Sequence, residues 1–410
     1  MADAYLSSRP PAVIAGAIGP TVSLTQSLGR AGVPVIVLSP GLPTLARASR
    51  YCRRVVDVGS SPGVIERWLE WLERDGPDGA VILPSGDEGL ELIVRHRDRL
   101  LSRGFRLPET AGEVSLAMLD KARSYELGRA GGVPCPRTRT VSTLADLQGV
   151  SDELDFPCAL KPLHSHLFAK HFPGVKLLIV ADEGELVDAL EQTTAFGLEM
   201  LVTEIIPGTD SCTWSYTTHI DEHGEPLYAL TRNKLRSHPI HFGTNSYVVT
   251  RRNPEVAAMG LKFLRSVGLR GMAHVEFKWD VRDGQLKLIE CNHRFVAVTE
   301  LFRRAGLDVA LFTYCRALGI APPPMDSWRE GTRLWFPDRD TRAAQEYRAA
   351  GELTYRQWIR SLAHGRLYTP FFAWDDPGPS VAHWWPKVRR GSGHALGRLV
   401  PSLTADRPRN

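Results

Sequence analysis

Short apolar runs alternate with helix-spaced segments through the first hundred residues, and this alternation restricts the fold more than any other feature of the chain. Ala12-Val-Ile-Ala-Gly-Ala-Ile18 reads as a strand entering a glycine turn, and residues 21–31 have helical spacing. Val33-Pro-Val-Ile-Val-Leu38, Val55-Val-Asp-Val58 and Ala80-Val-Ile-Leu83 are further buried strands, with a helix over 64–72. Strands that are apolar throughout need cover on both faces, which parallel sheets receive from their crossover helices. The pattern predicts a doubly wound parallel sheet over residues 1–115. Such sheets bind ligands beyond the carboxyl ends of their strands. Those ends carry Gly16 and the segment Pro84-Ser-Gly-Asp-Glu88, so Gly16, Ser85, Asp87 and Glu88 are substrate-contact candidates. The last three could equally cap a helix over 88–94. Gly-Ala-Ile-Gly19 is not the GxGxxG of a dinucleotide site.

A second feature carries chemistry. Met272-Ala-His-Val-Glu-Phe-Lys-Trp-Asp-Val-Arg-Asp-Gly-Gln-Leu-Lys-Leu-Ile-Glu-Cys-Asn-His-Arg294 has the pattern of a β-hairpin. Alternation puts Glu290, Asn292 and Arg294 on one side, and Ile289, Cys291 and His293 on the other. A two-residue Asp283-Gly284 loop would set Glu276 and Glu290 on opposite faces; a three-residue loop with Gly284 left-handed would pair them. Two converging carboxylates and a carboxamide repel unless a hard cation lies between them. Such oxygen donors suit Mg²⁺, which completes its shell with phosphates and water.

At 410 residues the chain is long for one core, and roughly two to three domains are expected. A net charge of +4, spread among interspersed acids, does not argue for nucleic acid. The six cysteines form no CxxC pair, which disfavours zinc and a disulfide framework and favours a reducing compartment. No signal peptide or transmembrane run is evident, so a cytoplasmic enzyme is the expectation.

Along the rest of the chain, Asp120-Lys121 opens a helix ending at Gly131-Gly132, and Leu160-Lys161-Pro ends a short strand. Thr203-Glu-Ile-Ile-Pro-Gly-Thr-Asp210 follows a buried strand, and Thr231-Arg-Asn-Lys-Leu-Arg236 precedes the hairpin. In that order, with Glu276 and Glu290-Cys-Asn-His-Arg294, these elements resemble the ATP-grasp superfamily, in particular its D-aspartate ligase-like carboxylate–amine ligases. The resemblance covers residues 11–320.

It implies an α/β and α+β architecture: the N-terminal parallel sheet and a two-lobed ATP-grasp domain over 116–325 with a lid at about 135–200. Beyond it, residues 326–410 read as a Trp- and Arg-rich appendage. It implies ATP and one or two Mg²⁺ ions, with Mn²⁺ an acceptable substitute. Lys121 and Lys161 would meet the phosphates, and Glu276, Glu290 and Asn292 the metal. The main chain at Thr203 or Glu204 and at Ile206 would read the adenine edge, and Asp210 the ribose. Arg294 would face the charge developing on the transferred phosphate. Lys234 and Arg236 would add to that field or hold a substrate carboxylate.

The phosphate-covering loop departs from the glycine-rich family pattern. His164-Ser-His-Leu-Phe-Ala-Lys-His-Phe-Pro-Gly174 has one glycine, so Ser165, Lys170 and the histidines would have to supply the anion contacts. A zinc site on His164, His166 and His171 is disfavoured.

The implied activity joins a small-molecule carboxylate to an amine through an acyl phosphate, with amino-acid-like substrates. Phosphorylation of an enol or hydroxyl, coupling to a thiol, and a non-catalytic nucleotide-binding module are the alternatives. Nucleic acid is not an expected partner. Trp335, Trp358, Trp374, Trp384 and Trp385 could form a nucleic-acid or membrane surface, but Asp375-Asp-Pro-Gly-Pro interrupts the basic face. They are expected to cover the catalytic domain or a second subunit, which allows a homodimer.

Overall fold

The chain is described by a computed structural model over residues 9–397, apart from 17, 18, 42, 60–62, 164–167, 169, 170, 174 and 364, with side chains described as far as Lys387. Its first part is the expected parallel sheet. Strands β1 (Ala12–Ala15), β2 (Val35–Ser39), β3 (Cys52–Asp57) and β4 (Val81–Pro84) stand in the order β3-β2-β1-β4. Helices α1 (Thr21–Arg30), α2 (Val64–Asp75) and α3 (Asp87–Arg95) follow β1, β3 and β4. Alternate strand residues bury on both faces. Val13, Ala15 and Ile82 pack with Trp68, Leu69 and Leu72, while Ala12, Ile14 and Leu83 pack with Leu24 and Leu28. The first strand stops at Ala15, short of the expected Ile18, which lies outside the described residues.

Helix α4 (Lys121–Ala130) begins at Asp120, whose carboxylate accepts the Arg123 amide and so caps it. A small sheet follows, in the order β5-β8-β6-β7. It comprises β5 (Thr138–Val141), β6 (Cys158–Pro162), β7 (Leu178–Val180) and, after helix α5 (Glu183–Thr194), β8 (Met200–Glu204). Leu186 and Leu190 of α5 pack against Cys158, Leu160 and Val202.

The large sheet has the order β13-β12-β9-β10-β11-β14-β15. Its first strands are β9 (Thr213–Ile220), β10 (Pro226–His238) and β11 (Thr244–Thr250). After helix α6 (Pro254–Ser266) come β12 (Gly271–Trp279) and β13 (Leu286–Asn292), the predicted hairpin. Two helices follow the hairpin, α7 (Thr299–Ala305) and α8 (Val309–Leu318), the second capped by Asp308.

The chain beyond the triple-proline segment extends this sheet. Strand β14 (Thr332–Trp335) pairs antiparallel with β11; helices α9 (Pro337–Ala349) and α10 (Tyr355–Leu362) lead to β15 (Arg366–Tyr368), parallel to β14. Helix α11 (Gly378–Gly397) comes last. Fully buried Asp340 of α9 fastens the extension, accepting from Arg236 Nε and a second guanidinium nitrogen (2.8 Å each), Ser246 Oγ (3.0 Å), Trp335 Nε1 (3.0 Å) and Trp358 Nε1 (2.7 Å). The expected packing role thus holds for Trp335 and Trp358. Trp374, Trp384 and Trp385 do not cover the catalytic domain in the single chain, where they are 89%, 40% and 61% exposed. Among the described residues no helix is long and apolar enough to cross a membrane.

Candidate active site

The hairpin sets the two acids side by side by a route other than the one expected. Its turn is longer than three residues: Trp279 pairs with Leu286, and the Asp280 amide donates to the Gln285 carbonyl (2.9 Å). That register continues to Phe277–Leu288. Ile289 is then left out of the ladder, and Glu276 pairs with Glu290, Val275 with Cys291 and His274 with Asn292. A bulge re-aims the residues after it, and this one brings Glu290 and Asn292 onto the face of Glu276. Gly284 is left-handed (φ +68°), although the turn is not the three-residue loop for which that conformation is expected. Cys291 is buried against α6 and His293 is also buried, as alternation required.

Electrostatic repulsion between the two acids is met differently from the expectation. Glu276 is buried and accepts from Lys234 Nζ (2.9 Å) and an Arg232 guanidinium nitrogen (3.1 Å). Burial alone would raise its pKa, but Lys234 and Arg232 outweigh burial and hold it below the usual carboxylate value. Its charge is therefore balanced within the protein. Glu290 is exposed and accepts from Asn292 Nδ2 (3.0 Å).

The lysines converge on the same place. Lys121, the first residue of α4, donates to the Pro162 carbonyl at the end of β6 (3.2 Å), next to Lys161. Burial lowers the pKa of Lys121, opposed by the negative charge of Glu290. Lys161 falls further, to about 8, through burial and then the like charge of Lys121, with Glu290 and Glu276 opposing. Each acid thus lies within electrostatic reach of Lys161, and Glu290 within reach of both lysines.

Three residues on this face escaped the sequence reading, although alternation could have found them. Arg232 precedes Lys234 by two on β10, and His274 and Lys278 flank Glu276 by two on β12. Arg232 also donates to His274 Nε2 (3.1 Å), and His274 Nδ1 lies 2.7 Å from Thr217 Oγ1. Because a guanidinium can only donate, His274 accepts at Nε2 and its proton resides on Nδ1. Burial, then Arg232, holds its pKa well below the ordinary value. Lys278 is buried, with its pKa lowered by burial.

Several expected site residues are engaged elsewhere. Arg236 follows a bulge in β10 that turns it away from the Lys234 side and onto Asp340, with its guanidinium 4.5 Å from the Tyr247 ring centre. It is structural, not part of the phosphate field. Asp210 is 2% exposed, and its Oδ2 accepts from Ser237 Oγ (2.7 Å) and from the Tyr347 hydroxyl of α9. An anchored, sealed carboxylate does not present itself to a ribose. The Glu204 side chain binds the Arg137 amide (2.9 Å), Arg282 (2.9 Å) and Lys287 (3.3 Å), joining the small sheet to the hairpin.

The adenine-edge expectation narrows to one residue. Thr203 lies in the ladder between β5 and β6, and the Glu204 amide is spent on the Arg137 carbonyl (3.0 Å). Beyond Glu204 the chain leaves the sheet, and among the described residues the Ile206 main chain has no hydrogen-bond partner. Ser165 and Lys170 lie outside the described residues.

The N-terminal sheet meets this face at one end. Arg294 Nε pairs with Asp87 at the start of α3, and the Phe295 amide donates to the Pro84 carbonyl (3.2 Å). Gly16 and Ser85 are buried beside each other; a Cβ on Gly16 (φ +119°) would lie 2.6 Å from Ser85 Oγ. Ser85 donates to the Ala15 carbonyl (3.2 Å) and contacts Thr21, so both residues build the strand ends. Neither Asp87 nor Glu88 is the N-cap of α3, a place taken by Gly86 without a side-chain bond.

A hard cation fits here on donor chemistry. Glu276, Glu290 and Asn292 supply oxygens only, and among the described residues no three His, Cys, Asp or Glu side chains form a closed cage. Such a set leaves most of the coordination shell to phosphate and water, as Mg²⁺ requires.

The fold defines a class. The chain superposes on an L-amino acid ligase from Bacillus licheniformis with a TM-score of 0.57 at 15% identity, over 77% of this chain and 76% of that one. It superposes on the biotin carboxylase domain of a Hydrogenobacter thermophilus 2-oxoglutarate carboxylase, in complex with MgADP, ADP and bicarbonate, with a TM-score of 0.61 at 18% identity, over 80% and 74%. The fold is that of the ATP-grasp proteins. In sequence the chain is 28% identical over 282 residues to the D-aspartate ligase of Enterococcus faecium, covering 64% of this chain and 66% of the ligase, just under two thirds of its length. No family model matches. In sequence the chain is thus similar to ligases of the carboxylate–amine kind, and in fold to the ATP-grasp proteins.

Proposed function

We propose that this protein is an ATP- and Mg²⁺-dependent ligase that joins a carboxylate to an amine, with amino-acid-like substrates on both sides. The observation that carries the reading is the cross-strand pair Glu276–Glu290, set opposite Lys121 and Lys161. Lys161 on the small sheet and Lys121 at the start of α4, both within electrostatic reach of Glu290, suit a bound triphosphate, whose transfer chemistry depends on positioning and charge neutralisation. Lys121 and Lys161 would bind phosphate oxygens, and the free main chain of Ile206 would meet the base. Glu276, Glu290 and Asn292 would hold the metal. The metal supplies charge neutralisation across the phosphates.

The carboxylate oxygen of one substrate takes the γ-phosphoryl group, leaving ADP. The amine of the other then attacks the carbonyl carbon, inorganic phosphate departs, and the nitrogen loses its proton as the amide forms. Arg294, with Arg232 behind Glu276, would stabilise charge on the reacting phosphate and the tetrahedral carbon. The small sheet carrying Lys161 would close over the nucleotide and exclude water from the acyl phosphate.

The test is a panel of carboxylates and amines with purified protein, ATP and Mg²⁺, scoring phosphate release and hydroxamate formation when hydroxylamine replaces the amine. A ligase gives a hydroxamate with the right carboxylate and amine-dependent product. ADP formation with a phosphorylated hydroxyl compound and no hydroxamate would replace this reading with a kinase.

A further inference from the structure

Lys278 has no part in the chemistry described so far. It is 8% exposed, and among the described residues no hydrogen bond or ion pair reaches its ammonium. Its neighbours on the large sheet are engaged. Lys234 is spent on Glu276 (2.9 Å), and Lys287, opposite Lys278 in the hairpin, on Asp280 (2.7 Å) and Glu204 (3.3 Å). A buried ammonium that gives up hydration without gaining an acceptor is costly. Such a group suits an acceptor supplied by a ligand.

Alternation fixes the side on which that acceptor lies. Val275 and Phe277 are buried in the core beneath the sheet, so Glu276 and Lys278 both face the candidate site. Asp210 favours the charge on Lys278 without bonding to it. Lys161 of β6 lies within electrostatic reach of Lys278 and is disfavoured by it, and among the described residues it too has no hydrogen-bond partner. Two like charges therefore converge, one from the small sheet and one from the large. An anion touching both removes their repulsion.

Strand register selects the anion. On β12, His274 lies opposite Asn292 and so toward Arg294 and the N-terminal sheet. Lys278 lies at the other end, opposite Thr213 of β9, which directly follows the short turn Asp210–Cys212 and the Ile206 segment before it. Two residues separate Lys278 from Glu276, about 7 Å along the strand. A nucleotide whose β- and γ-phosphates share a metal at Glu276 and Glu290, and whose base meets Ile206, carries its α-phosphate and ribose past Lys278. Of these two groups only the phosphate is charged.

We infer that Lys278 binds the α-phosphate of the nucleotide together with Lys161. This rests on the nucleotide reading of the site and adds to it a contact that a nucleoside monophosphate retains. The experiment uses the full-length protein with Mg²⁺ and measures the affinities of ATP, ADP, AMP and adenosine by competition against a fluorescent ATP analogue. The proteins compared are the wild type, Lys278→Met and Lys278→Gln. The wild type should bind AMP about tenfold or more tightly than adenosine. Both variants should lose about ten- to a hundredfold in affinity for ATP, ADP and AMP alike, and nothing for adenosine. Thermal melting checks that they fold.

A loss confined to ATP and ADP would move Lys278 to the outer phosphates, and a loss shared by adenosine would move it to the base or ribose. Either result overturns the inference. So does unchanged binding of all four ligands, whatever happens to the KM of the carboxylate or amine. Equal affinity of the wild type for AMP and adenosine overturns it without any variant. A wild type that binds no nucleotide would overturn the nucleotide reading itself, a failure told apart because it precedes any substitution.

Discussion

Glu276 and Glu290 stand opposite each other across β12 and β13 because Ile289 drops out of the ladder between them. The two acids share a face but not an environment. Glu276 is buried against Arg232 and Lys234, whereas Glu290 is exposed beside Asn292.

That difference predicts different failures for the same substitution. Glu276→Gln leaves Arg232 and Lys234 buried without their counter-charge, which costs about 3–5 kcal/mol and should appear as a large drop in melting temperature. Glu290→Gln should leave stability within about 0.5 kcal/mol and lower kcat on the order of a hundredfold by removing a metal contact. Calorimetry with steady-state kinetics separates them. Full activity in Glu290→Gln would remove it from the proposed metal set.

Lys161 should make nucleotide binding sensitive to alkaline pH. Its pKa is lowered to about 8 by burial and by Lys121, so in the free protein it is charged below that value and neutral above it. Bound triphosphate favours the charged form. ATP affinity should therefore be flat below about pH 7.5 and weaken by up to about tenfold per pH unit above 8. Lys161→Arg keeps its charge throughout and should abolish this decline, as measured by isothermal titration. An unchanged decline in that variant would assign the titration to another group.

Much of this was legible from the chain, for identifiable reasons. Buried parallel strands advertise themselves as continuous apolar runs, and Lys121, Lys161 and the hairpin acids carry their chemistry at fixed strand and helix ends. What stayed hidden depends on contacts distant in sequence. The bulge at Ile289 cannot be read from residues that suit a regular ladder equally well. By sequence Arg236 belongs with Lys234, but Asp340, a residue 104 positions away, holds it. Asp210 is claimed by Tyr347 in the same way. Arg232, His274 and Lys278 were avoidable omissions, because their alternation with Lys234 and Glu276 was already in view.

Asp340 joins the extension to the large sheet and should be needed for both. Asp340→Ala strands buried Arg236 and the two indole N–H groups, a loss of about 3–5 kcal/mol. Hydrogen exchange should rise first over β14, α9 and β15. The Tyr347 bond to Asp210, beside the Ile206 segment, would loosen with α9, so the ATP KM should rise while Lys161→Arg still alters the pH profile. Unchanged exchange over 332–368 would mean that the extension is held by apolar packing alone.

Arg294 and Asp87 couple the N-terminal sheet to the hairpin, and the last prediction isolates that coupling. Their side chains are 21% and 30% exposed, so the pair contributes at most about 1 kcal/mol to stability. Asp87→Asn should therefore leave the melting temperature nearly unchanged. Its effect falls on the aim of Arg294, which without a carboxylate partner is no longer fixed at the end of the hairpin. Misplacing a catalytic cation by about an ångström can cost up to about a hundredfold in rate, so kcat/KM for the carboxylate should fall ten- to a hundredfold while the ATP KM stays constant. Arg294→Lys should show the same kinetic split, since an ammonium cannot reproduce the planar guanidinium contact. If Asp87→Asn instead weakened ATP binding in proportion, the pair would belong to the nucleotide pocket, and the strand ends of the N-terminal sheet would have no separate part in acceptor binding.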